Sequence, residues 1–509
     1  MTDWFSWDLL TIPSWQTLTF ASALFLILQI VAIYSALHAI RHVRTSQAAV
    51  AWVVGLIALP FIALPLYWVF AQHRFEEYRE VIRQVGKLHN QTFERIADEL
   101  ATERNARTTG QVSALETLAD VLDTPLCDGN RLEVLIDGKD FFDQIIADME
   151  AAQTYIYACF YTIRDDEIGN RVAETWLRRA AEGVKVRILY DEVGCLTLTR
   201  QYLRRLREGG VEIQAFDTRQ KWSNPFELNF RNHRKSIIVD GRVAVVGGLN
   251  IGNEYLGELA GMQKWRDTAV RLTGPIVWKV QAVFARDYFW STRQGLNEAI
   301  WSGDGEASKT DDSEVDKGAA HALATADEAR SALCATGPAD LRPRATMMYA
   351  AAAAVAQQRL WISTPYLVPN DGAMLALQMC RARGVDVRLL IPAKVDHWAV
   401  YLAGFYYEDL FVDSGIPVYR YRDGFLHQKC VLVDESLVMI GSTNLDNRSL
   451  HLNFEMMVAT DHGPLVRRVA EMFERDFAAS EHSDVPPRER RRWFARVGTA
   501  VARLFSPIL

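Results

Sequence analysis

Two histidines and two lysines recur in this chain in a pattern suited to breaking and re-forming a phosphodiester. Near the middle stand Asn232-His233-Arg234-Lys235, followed by Asp240, Gly247-Gly248 and Asn250. Much later stand Leu426-His427-Gln428-Lys429, followed by Asp434, Gly441-Ser442 and Asn444. In both copies lysine follows histidine by two residues, aspartate by seven, glycine by fourteen and asparagine by seventeen. A lone His-x-Lys says little, because a single surface histidine is ordinarily just solvated. Two copies sharing every offset point to two halves of one active site. Imidazole can exchange protons or attack phosphorus near neutral pH. An adjacent ammonium neutralises phosphate oxygens, and an asparagine amide donates a further hydrogen bond. Two facing units supply a nucleophile and a general acid, and this chemistry needs no metal.

Each copy must sit on a β-hairpin. Alternating residues run into Val239-Asp240-Gly241 or Val433-Asp434-Glu435, and an apolar return strand follows. Side chains two apart leave one face of a strand, so His233 pairs with Lys235 and His427 with Lys429. Asp240 and Asp434 complete the duplicated catalytic set, yet their place favours hairpin-turn chemistry. Gly247 and Gly248 permit close backbone approach. Ser442 stands where the first copy has Gly248, so the two half-sites are chemically unequal.

The surroundings repeat as well. Residues 154–160 read as a buried strand, followed by a helix to Ala181 and a strand from Gly183 to Leu189. Residues 359–363, a helix to Ala382 and a strand from Gly384 to Leu390 repeat that order. A further glycine-led strand, at 210–213 and 415–418, precedes each hairpin. Strand-helix-strand alternation predicts α/β halves with sheets covered by helices.

The chain has 509 residues, room for two core-sized domains with appendages. Sixty-three acidic residues against 56 basic ones give a net charge of −7, a poor footprint for a general nucleic-acid binder. The six cysteines, at 127, 159, 195, 334, 380 and 430, lack metal or disulfide spacing and read as ordinary thiols. Leu18 to Ile40 contains no Asp, Glu, Lys or Arg and is long enough to cross a bilayer. Ala48 to Ala71 is a second such run, with Pro60 and Pro65 inside and Trp52, Tyr67 and Trp68 near its ends. The expectation is a two-helix transmembrane hairpin within residues 1–71. A signal peptide is disfavoured, because Asp3 and Asp8 replace the usual basic leader. Arg74, Arg79, Arg83 and Lys87 outnumber Arg41 and Arg44 of the loop, which favours a cytoplasmic catalytic part.

Residues 72–125 are polar and helix-prone and read as a connector. The two α/β halves are expected at 126–300 and 331–484. Between them, 301–330 is an acidic linker carrying Asp304, Glu306, Asp311, Asp312, Glu314 and Asp316. At 485–509, Arg488, Arg490, Arg491, Arg492 and Arg496 flank a helical stripe of Trp493, Val497, Ala500, Val501, Leu504 and Ile508. That composition suits a helix on anionic lipid and equally one packed on the body.

The doubled HxKxxxxD is similar to the signature of the phospholipase D superfamily. Its flanks, Gly247-Gly248-Leu249-Asn250-Ile251-Gly252-Asn253-Glu254-Tyr255, Trp265-Arg266-Asp267-Thr268, Thr364-Pro365-Tyr366 and Gly441-Ser442-Thr443-Asn444-Leu445-Asp446-Asn447-Arg448-Ser449, resemble bacterial cardiolipin synthases. The resemblance implies two phospholipase D-like α/β halves forming one active site behind the membrane hairpin, in the inner cell membrane. It implies His233 as nucleophile, His427 as acid/base, and Lys235, Lys429, Asn250 and Asn444 on the phosphate oxygens. It further implies Asp267 as the carboxylate orienting His233, and Glu455 as the one orienting His427. Phosphatidylglycerol would be both donor and acceptor, the bilayer a partner and nucleic acid not one. No cofactor or metal is expected, and the chain shows no P-loop or other nucleotide motif. A hydrolytic phospholipase D and a tethered nuclease are the rival readings.

Overall fold

The computed structural model describes residues 15–43, 45–71, 78, 80–81, 112–216, 230–257, 264–299, 328–394, 396–482, 486–491 and 493–508. It comprises two units.

The first is the N-terminal apolar unit. Helix Trp15–His42 is long, and its Ser22–His42 part is apolar enough to cross a membrane. Thr45 caps the next helix, Ser46–Ala58, by accepting a hydrogen bond from Ala48 N at 3.3 Å. The second apolar run, expected as a span over 48–71, is not one continuous helix. The chain breaks at Leu59 (φ −136°, ψ 59°) and restarts as helix Pro60–Phe70. Proline has no N–H to continue the preceding helix but suits the first turn of a new one. Among the described residues, one helix has the length and composition of a span. Small residues Ala32, Ala36 and Ala39 let Leu56, Leu64 and Tyr67 pack closely. Trp68 Nε1 donates to Ser35 Oγ at 3.1 Å, satisfying two polar atoms internally. Ile27, Ile30, Ile33 and Ile40 are left exposed, a face for lipid rather than water.

The second unit carries the α/β repeat as one continuous sheet. From one edge, strands Glu212–Phe216, Lys185–Asp191, Tyr155–Phe160, Ser236–Val239, Val243–Gly247, Thr268–Thr273 and Leu126–Ile136 lie side by side. The second half repeats that order with Val418–Tyr421, Asp386–Pro392, Arg359–Ser363, Cys430–Val433, Leu437–Gly441, Asn453–Thr460 and Ala329–Thr336. Leu126–Ile136 and Ala329–Thr336 pair antiparallel at the junction, with Leu126 opposite Ala332. The outer strands of each half are parallel and the hairpin strands antiparallel. Helices Glu167–Ala181 and Asp371–Ala382 are the two predicted crossovers. Each is followed by a glycine at positive φ, Gly183 at 94° and Gly384 at 91°, which turns the chain into the next strand. All six cysteines are buried and free.

Of the expected connector, helix Ala114–Val121 is described, held by a capping box between Ser113 and Glu116. Residues 82–111 of that connector and 301–327 of the acidic linker lie outside the described residues. The C-terminal segment forms helix Trp493–Arg503.

Candidate active site

Asp240 and Asp434 sit in the hairpin turns at φ 51° and 50°. Asp240 accepts from the backbone N–H groups of Gln153, Thr154 and Tyr155 at 2.7–2.8 Å. Asp434 does the same for Gln357, Gln358 and Arg359, the last at 2.9 Å. Each clamps its hairpin to the start of the neighbouring strand, about 20 Å of extended chain from its histidine. Counting them with the catalytic set is therefore corrected: they brace the hairpins.

At the other end of the hairpins, each histidine segment crosses to the opposite half. Arg231–Asn232 pairs in parallel with Asn453–Phe454, and His233 N donates to Phe454 O at 3.0 Å. Phe425–Leu426 pairs with Trp265–Arg266, and His427 N donates to Arg266 O at 2.8 Å. The next residues along those strands are Glu455 and Asp267. His233 Nδ1 therefore meets Glu455 Oε1 and Oε2 at 2.9 and 3.1 Å. His427 Nδ1 meets Asp267 Oδ2 at 2.7 Å. The implied pairing, Asp267 with His233 and Glu455 with His427, is thus reversed, because each carboxylate serves the histidine of the other half. With Nδ1 anchored, Nε2 is the ring nitrogen left for substrate.

Both histidines, Asn250 and Asn444 line one cleft of about 320 Å³. Lys235 Nζ donates to His233 O at 2.7 Å and lies 5.4 Å from the Tyr161 ring centre. Lys429 Nζ lies 2.9 Å from His427 Nδ1. Asn250 accepts from Thr162 N at 3.0 Å and donates to Tyr255 Oη at 3.1 Å; Asn444 donates to Asp446 at 3.0 Å. Each amide nitrogen keeps a second N–H for a ligand. Tyr161 stands edge-on to His233 at 5.1 Å, and Trp265 packs on His427 at 4.9 Å.

The two half-sites hold their protons differently. Ser442 Oγ donates to Glu455 Oε2 at 2.5 Å. A side chain at the equivalent Gly248 would place its Cβ 2.2 Å from Asp267 Oδ1, so only glycine leaves that carboxylate its seat. Burial pushes the Glu455 carboxyl up, but His233, Lys235 and Ser442 together bring it below its ordinary value. Asp267 has no such excess of help: burial pushes it up to about 7 against Lys429 and the Thr268 N–H. Burial lowers His233 to about 4, Glu455 opposing, and lowers His427 well below its ordinary value, Lys429 adding to the effect. Burial also lowers Lys429 to about 8 and Lys235 well below the lysine range. Near neutral pH this arrangement pairs a neutral His233 with ionised Glu455 and leaves one proton in the His427–Asp267 pair.

The sequence reading missed several supports. The middle residue of each motif reaches a helix aspartate. Arg234 Nη1 meets Asp287 at 2.7 and 2.8 Å, and Gln428 Nε2 donates to Asp476 at 3.0 Å. Arg266 holds Asp476 through two contacts of 3.1 Å. Arg448 and Arg231 also line the cleft. Four residues after its asparagine, the first copy has Glu254, paired with Arg164 at 2.8 Å, whereas the second has Arg448. The cleft is therefore unsymmetrical in charge.

The family described as "Cardiolipin synthase, PLD-like domain" matches residues 145–288 and 350–477. The family described as "Phospholipase_D-nuclease N-terminal" matches residues 28–72, consistent with a membrane-associated protein. Cardiolipin synthase A of Pseudomonas aeruginosa strain LESB58 is 38% identical over 502 residues, 96% of this chain and 96% of that protein. Cardiolipin synthase A of Pseudomonas putida is 37% identical over 491 residues, 95% and 97% of the two chains. The crystal structure of phosphatidylserine synthase from Haemophilus influenzae Rd KW20 superposes with a TM-score of 0.56 at 15% identity. It covers 78% of this chain and 100% of that one, a likeness of fold. With matches to over half its length and near-complete alignment to those relatives, this chain belongs to the cardiolipin synthase family of phospholipase D-like enzymes.

Proposed function

We propose that the protein transfers a phosphatidyl group from one phosphatidylglycerol to another, yielding cardiolipin and glycerol. The observation that carries this reading is the pair of carboxylate-anchored histidines facing one cleft in a chain of this family. His233 Nε2 attacks phosphorus, the bond to the glycerol oxygen breaks, and the His427–Asp267 pair gives that oxygen its proton. The hydroxyl of a second lipid then returns a proton to His427 and attacks the same phosphorus, and the P–N bond to His233 breaks. Lys235, Lys429, Asn250 and Asn444 hold the phosphate oxygens. One phosphodiester replaces another, so no nucleotide is consumed. The basic residues following the apolar region favour a cytoplasmic catalytic body.

Purified full-length protein in mixed micelles, with labelled phosphatidylglycerol as the sole lipid and a chelator present, tests the reading. Equal amounts of cardiolipin and glycerol are expected. Phosphatidic acid would mean that water is the acceptor, and absence of turnover would overturn the donor.

The acceptor carries a second phosphodiester that does not react. Arg448 and Arg231, which line the cleft together with Tyr161, suit that anion. Arg448→Gln is expected to raise KM for acceptor phosphatidylglycerol about tenfold or more, the scale of one lost charge-assisted contact. Exchange of labelled free glycerol into phosphatidylglycerol, which needs no second phosphate, should hardly change. Equal loss in both assays would refute the assignment.

A further inference from the structure

Helix Trp493–Arg503 packs on helix Trp398–Asp413 with its polarity inverted. The inward side holds Thr499, Ala502 and, just beyond the helix, Ser506, all buried. Charged groups fasten the segment to the body. Arg488 meets Asp413 at 2.8 Å and its backbone N–H donates to Asp409 at 2.8 Å. Arg491 forms an ion pair with Asp409, and the Arg503 guanidinium lies 4.0 Å from the Tyr406 ring centre. The outward side is apolar: Trp493 is 76% exposed, Val497 53%, Val501 52% and Leu504 76%. A helix facing water on a folded body shows the opposite arrangement.

We propose that this helix lies in the headgroup region of an anionic bilayer with its outward face down, docking the catalytic unit on the membrane. Three observations select this occupant. A strip about 16 Å long and 10 Å wide offers under roughly 200 Å², far below the roughly 800 Å² per partner of a stable protein interface. Arg496 is exposed beside the apolar strip, where it would meet anionic headgroups. The helix beneath leads to the active site: His397 and Val400 line the catalytic cleft, and Trp398 between them is 70% exposed. Docking through this face therefore brings lipid to the cleft mouth.

The test uses full-length protein in liposomes of phosphatidylcholine with or without phosphatidylglycerol. A nitroxide is attached at Val497→Cys or, separately, at Val501→Cys, with Glu435→Cys as a water-facing control whose side chain is 86% exposed. Expected is preferential collision with oxygen over a water-soluble nickel chelate at 497 and 501, increasing severalfold with phosphatidylglycerol, and the reverse at 435. Nickel access at 497 and 501 equal to that at 435 would overturn the proposal. Protection from both reagents with dipolar broadening would also overturn it, assigning the face to a second copy. The readout is spectroscopic, so it stands whether or not the protein turns over phosphatidylglycerol.

Discussion

His233→Ala is expected to abolish covalent phosphatidyl-enzyme formation and to lower turnover by about 10⁴-fold or more, the scale of losing the nucleophile of an acyl- or phosphoryl-transfer site. His427→Ala should fail for a different reason. Glycerol leaves as a poor alkoxide unless protonated, so this variant is blocked with phosphatidylglycerol. It should still release nitrophenol in a stoichiometric burst from a nitrophenyl phosphatidyl ester, because nitrophenolate leaves without a proton. His233→Ala should show no burst with either substrate. A burst from His233→Ala but not from His427→Ala would exchange the two roles. The basis for the assignment is electrostatic. Glu455, assisted by Ser442, is held ionised beside a neutral His233, while the His427–Asp267 pair keeps a proton.

The tandem offsets of His, Lys and Asn made the core of the candidate site legible, because a shared spacing is a local property of each copy. The α/β class was legible too: the predicted strands at 154–160 and 359–363 correspond to Tyr155–Phe160 and Arg359–Ser363. The crossed carboxylates were not. Which carboxylate orients which histidine depends on Arg231–Asn232 and Phe425–Leu426 crossing between halves, a long-range pairing without a periodic signature. Asp287 and Asp476 escaped notice for a related reason. They lie 54 residues after His233 and 49 after His427, so loops of unequal length erase the shared offset. In the apolar N-terminal region, composition alone joined two helices that Pro60 separates. Polarity reversal of the C-terminal helix was likewise invisible, since a helical stripe does not say which side faces the body.

The crossed pairing gives the second large expected effect. Glu455→Gln should behave like a His233 variant, and Asp267→Asn like a His427 variant. An amide in place of the carboxylate disfavours the productive tautomer and no longer stabilises the charged imidazole, a loss of about 10²–10⁴-fold. For Glu455→Gln the loss should persist with the nitrophenyl ester, because attack itself is impaired. For Asp267→Asn the burst should survive. The opposite pattern would restore pairing within each half. The pH profile supplies an independent sign. In the parent protein, kcat/KM for the donor should fall at low pH as His233, at about 4, becomes protonated and loses its lone pair. It should fall again as pH rises through about 7, where the His427–Asp267 pair loses its proton, and further near 8 as Lys429 loses charge. Asp267→Asn deletes a group that holds the pair's proton, so the limb near 7 should disappear while the acid limb stays. Glu455→Gln removes the charge that raises the His233 pKa, so its acid limb should move to lower pH while the limb near 7 stays; the Lys429 limb, raised by both carboxylates, should move down in either variant. If both variants moved the His233 limb, or both removed the limb near 7, the two carboxylates would belong to one coupled network rather than to two crossed pairs.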